Sequence, residues 1–346
     1  MNFKYQYIFF ILLFVILFCI NIYFYKNNNI ITELFSNDKN IKEIAIYKTF
    51  ETINNLPNLD KYINTYFTPI QYKDLSKIVP KNDNKIFISV ASYRDSQCSL
   101  TIKDLITKAN KPENLVIIIC QQNDSSDDEC LDSSFLNSFK ADIRIIKMDA
   151  KEARGPCWAR FIIQQEWSGE QYYLQIDSHT RFVDSWDIKC INNLKKSSEI
   201  SKIDNVCLTN YVSTFNINTG EIEINPLRGP MFIESIDQTD GFFRYNSKYV
   251  QNMNNVQESK GWSGCFSFST SQIIIDAPYD PYTPFLFFGE EMDIFARLYT
   301  RGWLMFVPAE PICFTMFDRS YRKTFWEHPD QAETVQLSKL RLYIRF

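Results

Sequence analysis

Apolar runs alternate with mixed segments from residue 85 to residue 177, and they predict strands and helices in turn. Lys85-Ile86-Phe87-Ile88-Ser89-Val90 reads as a first strand, followed by the loop Ala91-Ser92-Tyr93-Arg94-Asp95. Cys98, Ile102, Leu105 and Ala109 recur at helical spacing and predict a helix over 97–109. Residues 115–120 are apolar throughout, the pattern of a strand buried on both faces. Ile143 to Met148 predicts a third strand, and Pro156 stands where a second helix would open, with Trp158 and Ile162 on its apolar stripe. Tyr172 to Ile176 runs as a fourth strand straight into Asp177. This rhythm predicts an α/β fold with a mostly parallel central sheet flanked by helices.

Beyond Asp187 the pattern loosens. An amphipathic helix to about Leu194 and a strand near 206–210 are followed by an irregular Gly- and Pro-containing stretch over 219–241. A second organised block begins at Gly261 and passes through Pro278-Tyr279-Asp280-Pro281. It continues into a helix after Gly289-Glu290-Glu291, and Leu304 to Val307 resumes a strand. The N-terminus differs in kind. Between Tyr5 and Tyr25 the only clearly polar side chains are Gln6 and Asn21, and about 20 apolar residues suffice to cross a bilayer. The run lacks a small-x-small cleavage site, which favours a retained anchor over a signal peptide. The expected organisation is a membrane anchor over 1–26, a polar stem over 27–84, a catalytic domain over 85–328 and a helical tail over 329–346. A single-pass, type II membrane protein follows.

A chain of 346 residues can bury a full core. Its net charge of −4 gives no electrostatic case for nucleic-acid binding. Nine cysteines contain no C-x-x-C pair, so no zinc ribbon or redox motif is expected. Several, such as Cys120 and Cys207, end or sit within apolar runs and read as buried thiols, and spacing leaves disulfides open.

The chemistry concentrates where the fourth strand ends. Asp177 and His179 are separated by one residue, so an extended backbone turns both to one face. A carboxylate and an imidazole suit a borderline divalent ion such as Mn²⁺ better than Ca²⁺; the plainer reading is a polar turn after a buried strand. An ion with only two protein ligands completes its shell with water or substrate, and a diphosphate is a natural partner. Arg154, Arg160 and Arg181 flank the same edge, and Gly155 with the following helix start offers amides to phosphate. Arg94 and Asp95 lie in the loop after the first strand, where nucleotide sites form in such sheets. Glu290 and Glu291 open a helix, either as dipole-favoured acids or as groups that meet sugar hydroxyls or a nucleophile. Trp262, Gly264 and Trp303 are candidates for a wall beside a sugar or acceptor, with core packing the alternative for the tryptophans.

Four segments in order resemble one family: Ser89-Val90-Ala91-Ser92-Tyr93-Arg94-Asp95, Arg154-Gly155-Pro156-Cys157-Trp158-Ala159-Arg160, Tyr173-Leu174-Gln175-Ile176-Asp177-Ser178-His179 and Gly289-Glu290-Glu291. Together they are similar to the polypeptide α-N-acetylglucosaminyltransferases, whose best-known member modifies hydroxyproline of a ubiquitin-ligase adaptor. The similarity spans about 85–326. It implies a GT-A-type nucleotide-diphospho-sugar transferase fold, UDP-N-acetylglucosamine as donor, a divalent metal at Asp177 and His179, and retention of configuration; the family points to a protein acceptor, and a glycan acceptor stays open. It further implies Asp95 at the nucleoside, Arg154 or Arg160 at the diphosphate, and Glu290 or Glu291 as a positioning group. One departure stands out. The family pattern places a histidine near Thr315 as third metal ligand, and this chain has only His179 and His328. Asp318 is a candidate substitute. Two rival readings are a nucleotide-sugar-binding protein without catalysis and a metal-dependent phosphoesterase, the latter lacking the extra ligands of a two-metal site.

Overall fold

The computed structural model describes residues 39–132, 139–216, 227–251 and 253–345. The expected anchor over 1–26 lies outside them, and among the described residues no helix is long and apolar enough to cross a membrane. In chain order the main elements are α1 (Lys39–Asn54), α2 (Leu59–Tyr66), β1 (Ile86–Tyr93), α3 (Cys98–Thr107), β2 (Leu115–Asn123), β3 (Asp142–Asp149), α4 (Pro156–Gln164), β4 (Tyr172–Asp177), β5 (Thr180–Phe182) and α5 (Trp186–Ser201). There follow β6 (Val206–Thr209), β7 (Ser213–Thr214), β8 (Leu227–Ile236), β9 (Phe243–Val250), β10 (Gln257–Ser259) and β11 (Phe266–Thr270). The last are α6 (Gln272–Asp276), α7 (Glu290–Tyr299), β12 (Leu304–Val307), β13 (Cys313–Thr315) and α8 (Gln331–Arg345).

An eight-stranded sheet in the order β10-β12-β6-β11-β4-β1-β2-β3 forms the centre. β4, β1, β2 and β3 run parallel, as the alternation of strands and helices predicts. β11 enters antiparallel between β4 and β6. The middle strands are apolar on both faces because both are covered. Ile88, Ile117 and Leu174 belong to one core, with Trp186 from α5 and Ile102 from α3. Phe87, Ile118 and Tyr173 belong to the other, with Phe161 from α4 and Leu298 from α7. A small sheet β5-β13-β7 lies beyond β4, and β8–β9 form a separate hairpin.

Two expectations are corrected. Residues 39–84 are not a detached stem: Ala45 on α1 is buried in the second core, and Tyr62 and Tyr66 on α2 pack with Phe285. Both helices carry apolar residues at helical spacing, and the Asn-rich polar sequence around them is what reads as a stem. Part of the irregular stretch over 219–241 is the strand β8, paired with β9 through register shifts near Gly229 and Pro230. Bulges of this kind accommodate proline and break the alternation that marks a strand.

One disulfide, Cys98–Cys130, ties the start of α3 to the loop after β2. The other six described cysteines are buried thiols.

Candidate functional site

The parallel strands β1 and β4 end side by side, with Ala91 opposite Asp177. Their carboxyl ends open into a cleft of about 470 Å³, the edge at which open α/β sheets bind ligands. Because β11 is antiparallel to β4, its entry residue Gly264 comes to the same edge, and the start of α7 brings Glu290 and Glu291.

Asp177 and His179 converge. The Oδ2 of Asp177 lies 3.8 Å from Nε2 of His179. Each residue has its other polar atom engaged: Asp177 Oδ1 accepts from Arg160 Nη2 at 3.1 Å, and His179 Nδ1 is 2.8 Å from Asp95 Oδ2. One oxygen and one nitrogen are therefore left facing the cleft. With the Nδ1 proton directed at a carboxylate, Nε2 carries the free lone pair, the arrangement of metal-ligating histidines. Two such donors a few ångströms apart fit one borderline divalent ion. No group of three or more His, Cys, Asp or Glu poised for one ion occurs among the described residues. Thr315, at the position expected for a third ligand, is fully buried and donates to the His179 carbonyl at 3.2 Å. Asp318 is exposed and accepts from Ser320 instead. His328 has Nε2 on the Lys151 carbonyl and Nδ1 on the Asp330 amide, away from this edge.

Arg160 is buried, and its role differs from the expected diphosphate contact. Its guanidinium donates to Glu290 Oε1, Asp177 Oδ1 and the Gly264 carbonyl. Glu290 also accepts from the Tyr279 hydroxyl. A buried cation needs such partners, and they leave it as an internal brace between two acids. Glu290 is correspondingly committed to Arg160, while Glu291 faces the cleft. Glu291 accepts from Tyr211 O–H at 2.7 Å and from the Gly264 amide at 3.0 Å. Burial pushes its carboxyl up to about 7, against the pull of the Tyr211 hydrogen bond.

The remaining expectations divide similarly. Asp95 does not face the cleft; it accepts from Ser178, His179, Tyr321 and the Gln97 amide. Burial opposes its ionisation, yet the hydrogen bond from His179, with the charge of Arg322, holds it well below the usual carboxylate range. Arg94 is taken up by a two-pronged pair with Asp127 at 2.7 and 2.9 Å. Arg154 stacks on Tyr66 and Trp158 rather than entering the cleft. Arg181 bonds Gln97 and Thr101. Trp262 and Trp303 are fully buried in the core, with Trp262 Nε1 on Ser267, so neither offers a sugar wall. Gly155 does line the cleft, with φ +82° and Phe285 Cα at 2.8 Å from where a Cβ would stand. The close approach is itself a reason for glycine there.

Sequence reasoning missed Arg319, Tyr211 and Tyr279. Arg319 lines the cleft, its guanidinium lying 5.0 Å from the Phe287 ring centre and 4.8 Å from that of Trp326. Burial lowers its pKa, and the charge of Asp177 raises it. Tyr211 was legible in principle, since it follows the end of β6, which runs parallel to β4 two strands away.

The profile of a family described as Glycosyltransferase (GlcNAc) matches residues 85–141 and 133–345. The chain belongs to this family. No curated protein matches the sequence. Among solved structures, the fold is similar to GalNAc-T7, seen with UDP, GalNAc and Mn²⁺, at a TM-score of 0.51 and 15% identity over 68% of this chain and 44% of that one. TarS 1–349 of S. aureus gives 0.42 and 11% over 67% and 60% of the two chains. Its complex with UDP-GlcNAc gives 0.43 and 12% over 72% and 64%. The chain thus spans less than two thirds of each of these proteins. At these identities the likeness concerns the fold, an α/β glycosyltransferase-like one with a mostly parallel central sheet.

Proposed function

We propose that this protein is a glycosyltransferase that moves N-acetylglucosamine from UDP-N-acetylglucosamine to a hydroxyl of a protein or glycan, with retention. The observation that carries the reading is the pair of unshared donor atoms, Asp177 Oδ2 and His179 Nε2, 3.8 Å apart at the cleft floor. Family membership supports it, as does the Mn²⁺, UDP and GalNAc bound by the GalNAc-T7 neighbour. Asp177 and His179 would hold a divalent ion, preferably Mn²⁺, which when bound offsets charge on a diphosphate leaving group.

The chain's own residues supply the rest. Arg319 is a cation in the same cleft and is the arginine we assign to the diphosphate. Arg160 fixes Asp177 by one oxygen and so directs the other into the cleft. Glu291 is placed to accept a hydrogen bond from a hydroxyl, and Tyr211 and Gly264 keep it oriented. Exposed Phe288, Phe317 and Trp326 line the mouth and would shield the site from water. The apolar segment Phe9 to Ile20 would anchor the protein as a single-pass, type II membrane protein.

The test is UDP release by the full-length chain from UDP-N-acetylglucosamine with Mn²⁺ and an acceptor panel. Asp177→Asn should lower turnover by about 100-fold or more, the scale of losing one preorganised electrostatic group. Unchanged turnover would remove the site assignment. The two-ligand cradle also favours a second reading, a nucleotide-sugar-binding protein without catalysis. Calorimetric binding of UDP without turnover on any acceptor would select it.

A further inference from the structure

The segment 315–322 stands where the family pattern places a third metal ligand, yet it provides none. It instead meets the His179 carbonyl at one end and, at the other, Asp95, the partner of the His179 ring. Thr315 Oγ1 and the Met316 amide both donate to the His179 carbonyl, each at 3.2 Å. Tyr321 O–H donates to Asp95 Oδ1 at 2.8 Å, and Arg322 Nε stands 3.4 Å from Asp95 Oδ2. That same Oδ2 meets His179 Nδ1 at 2.8 Å and Ser178 Oγ at 2.6 Å. The Asp95 side chain is wholly enclosed, so its orientation is set by these partners and the Gln97 amide alone.

We propose that Asp95, Tyr321 and Arg322 form a positioning relay. Through it the C-terminal segment fixes the ring and tautomer of His179, in place of a ligand of its own. The inference rests on the proposed metal reading of Asp177 and His179. Physically, Asp95 can only accept, so Nδ1 must carry the proton and Nε2 is left as a lone-pair donor toward Asp177. Tyr321 and Arg322 orient Asp95 and stop it from turning away. Partners one layer behind a ligating histidine typically govern metal affinity by about 10–100-fold. A direct ligand from Thr315 is excluded by place, because the residue is fully buried and does not line the cleft.

The experiment is Mn²⁺ titration of the full-length chain, read from the loss of the free-ion EPR signal, beside turnover at rising Mn²⁺. Asp95→Asn places an amide N–H₂ against either His179 or the Tyr321 and Gln97 donors, and should weaken Mn²⁺ binding by about 10–100-fold. Tyr321→Phe keeps the ring, which packs on Phe215, Phe314 and Met316, and removes one hydrogen bond to the carboxylate. It should weaken Mn²⁺ binding by about 3–10-fold, with kcat recovering at saturating Mn²⁺. Tyr321→Phe is the deciding variant if Asp95→Asn does not fold. Mn²⁺ affinity within twofold of wild type in folded Tyr321→Phe, while Asp177→Asn abolishes binding, overturns the relay and leaves the metal site standing. A wild-type chain that binds no Mn²⁺ overturns both.

Discussion

Glu291 offers a test that needs no substrate. Its carboxyl is drawn from an ordinary 4.5 up to about 7, chiefly by burial. Between these two values the folded protein holds a proton that the unfolded chain has released. Stability therefore falls as pH rises through this window, and the penalty is constant above it. At about 1.4 kcal/mol per pH unit, the full penalty corresponds to roughly 3 kcal/mol. Residual solvent contact of the residue reduces this to about 1–3 kcal/mol. Glu291→Gln keeps an oxygen for the Gly264 amide and a group that can pair with Tyr211, and it cannot ionise. Urea unfolding of both proteins at pH 5 and pH 8 separates the effect. The variant should gain about 1–3 kcal/mol relative to wild type on going from pH 5 to pH 8, while losing turnover because a carboxylate acceptor is gone. Parallel stability curves would show that Glu291 is ordinarily solvated, and the geometry assigned to it would be wrong.

Three further outcomes follow from the same coordinates. Gly155→Ala forces a side chain into positive φ and within 2.8 Å of the Phe285 backbone. It should cost roughly 1–3 kcal/mol in chemical denaturation. Arg319→Ala should raise the KM for UDP-N-acetylglucosamine at least several-fold with little change in melting temperature, because Arg319 rests on aromatic faces and has no carboxylate at ion-pair distance among the described residues. Replacing Cys98 and Cys130 together by serine opens a 32-residue separation and should lower stability by about 2–4 kcal/mol, measured against wild type under non-reducing conditions.

The parallel half of the sheet was legible because β1, β2 and β4 are buried on both faces and must be apolar throughout. β12 was legible for the same reason, and its observed span Leu304–Val307 coincides with the apolar run. The hairpin β8–β9 was not legible. It forms a two-stranded sheet of its own against β10 and β12, and Gly229 and Pro230 interrupt its alternation. α1 was visible only as a modest helical periodicity over residues 41–53; that it packs on the domain is decided by α8, almost 300 residues away, rather than by its own pattern.

At the site, residue spacing located the chemistry but did not distribute the roles. The i, i+2 rule is a property of the local backbone, and it placed Asp177 and His179 on one face. The arginines obey no local rule. Arg160 finds Glu290 at a sequence separation of 130 and Arg322 stands against Asp95, 227 positions earlier in the chain. A guanidinium in a poorly solvated cleft pairs with an acid where one is within reach. Any acid that the fold supplies therefore removes an arginine from service to substrate. Arg94, Arg160 and Arg322 are each removed in this way by Asp127, Glu290 and Asp95. Arg319 is met by aromatic faces, which hold a cation without neutralising it. The sequence motifs thus mark where charge is concentrated, and only the three-dimensional pairing shows which charge is left for an incoming anion.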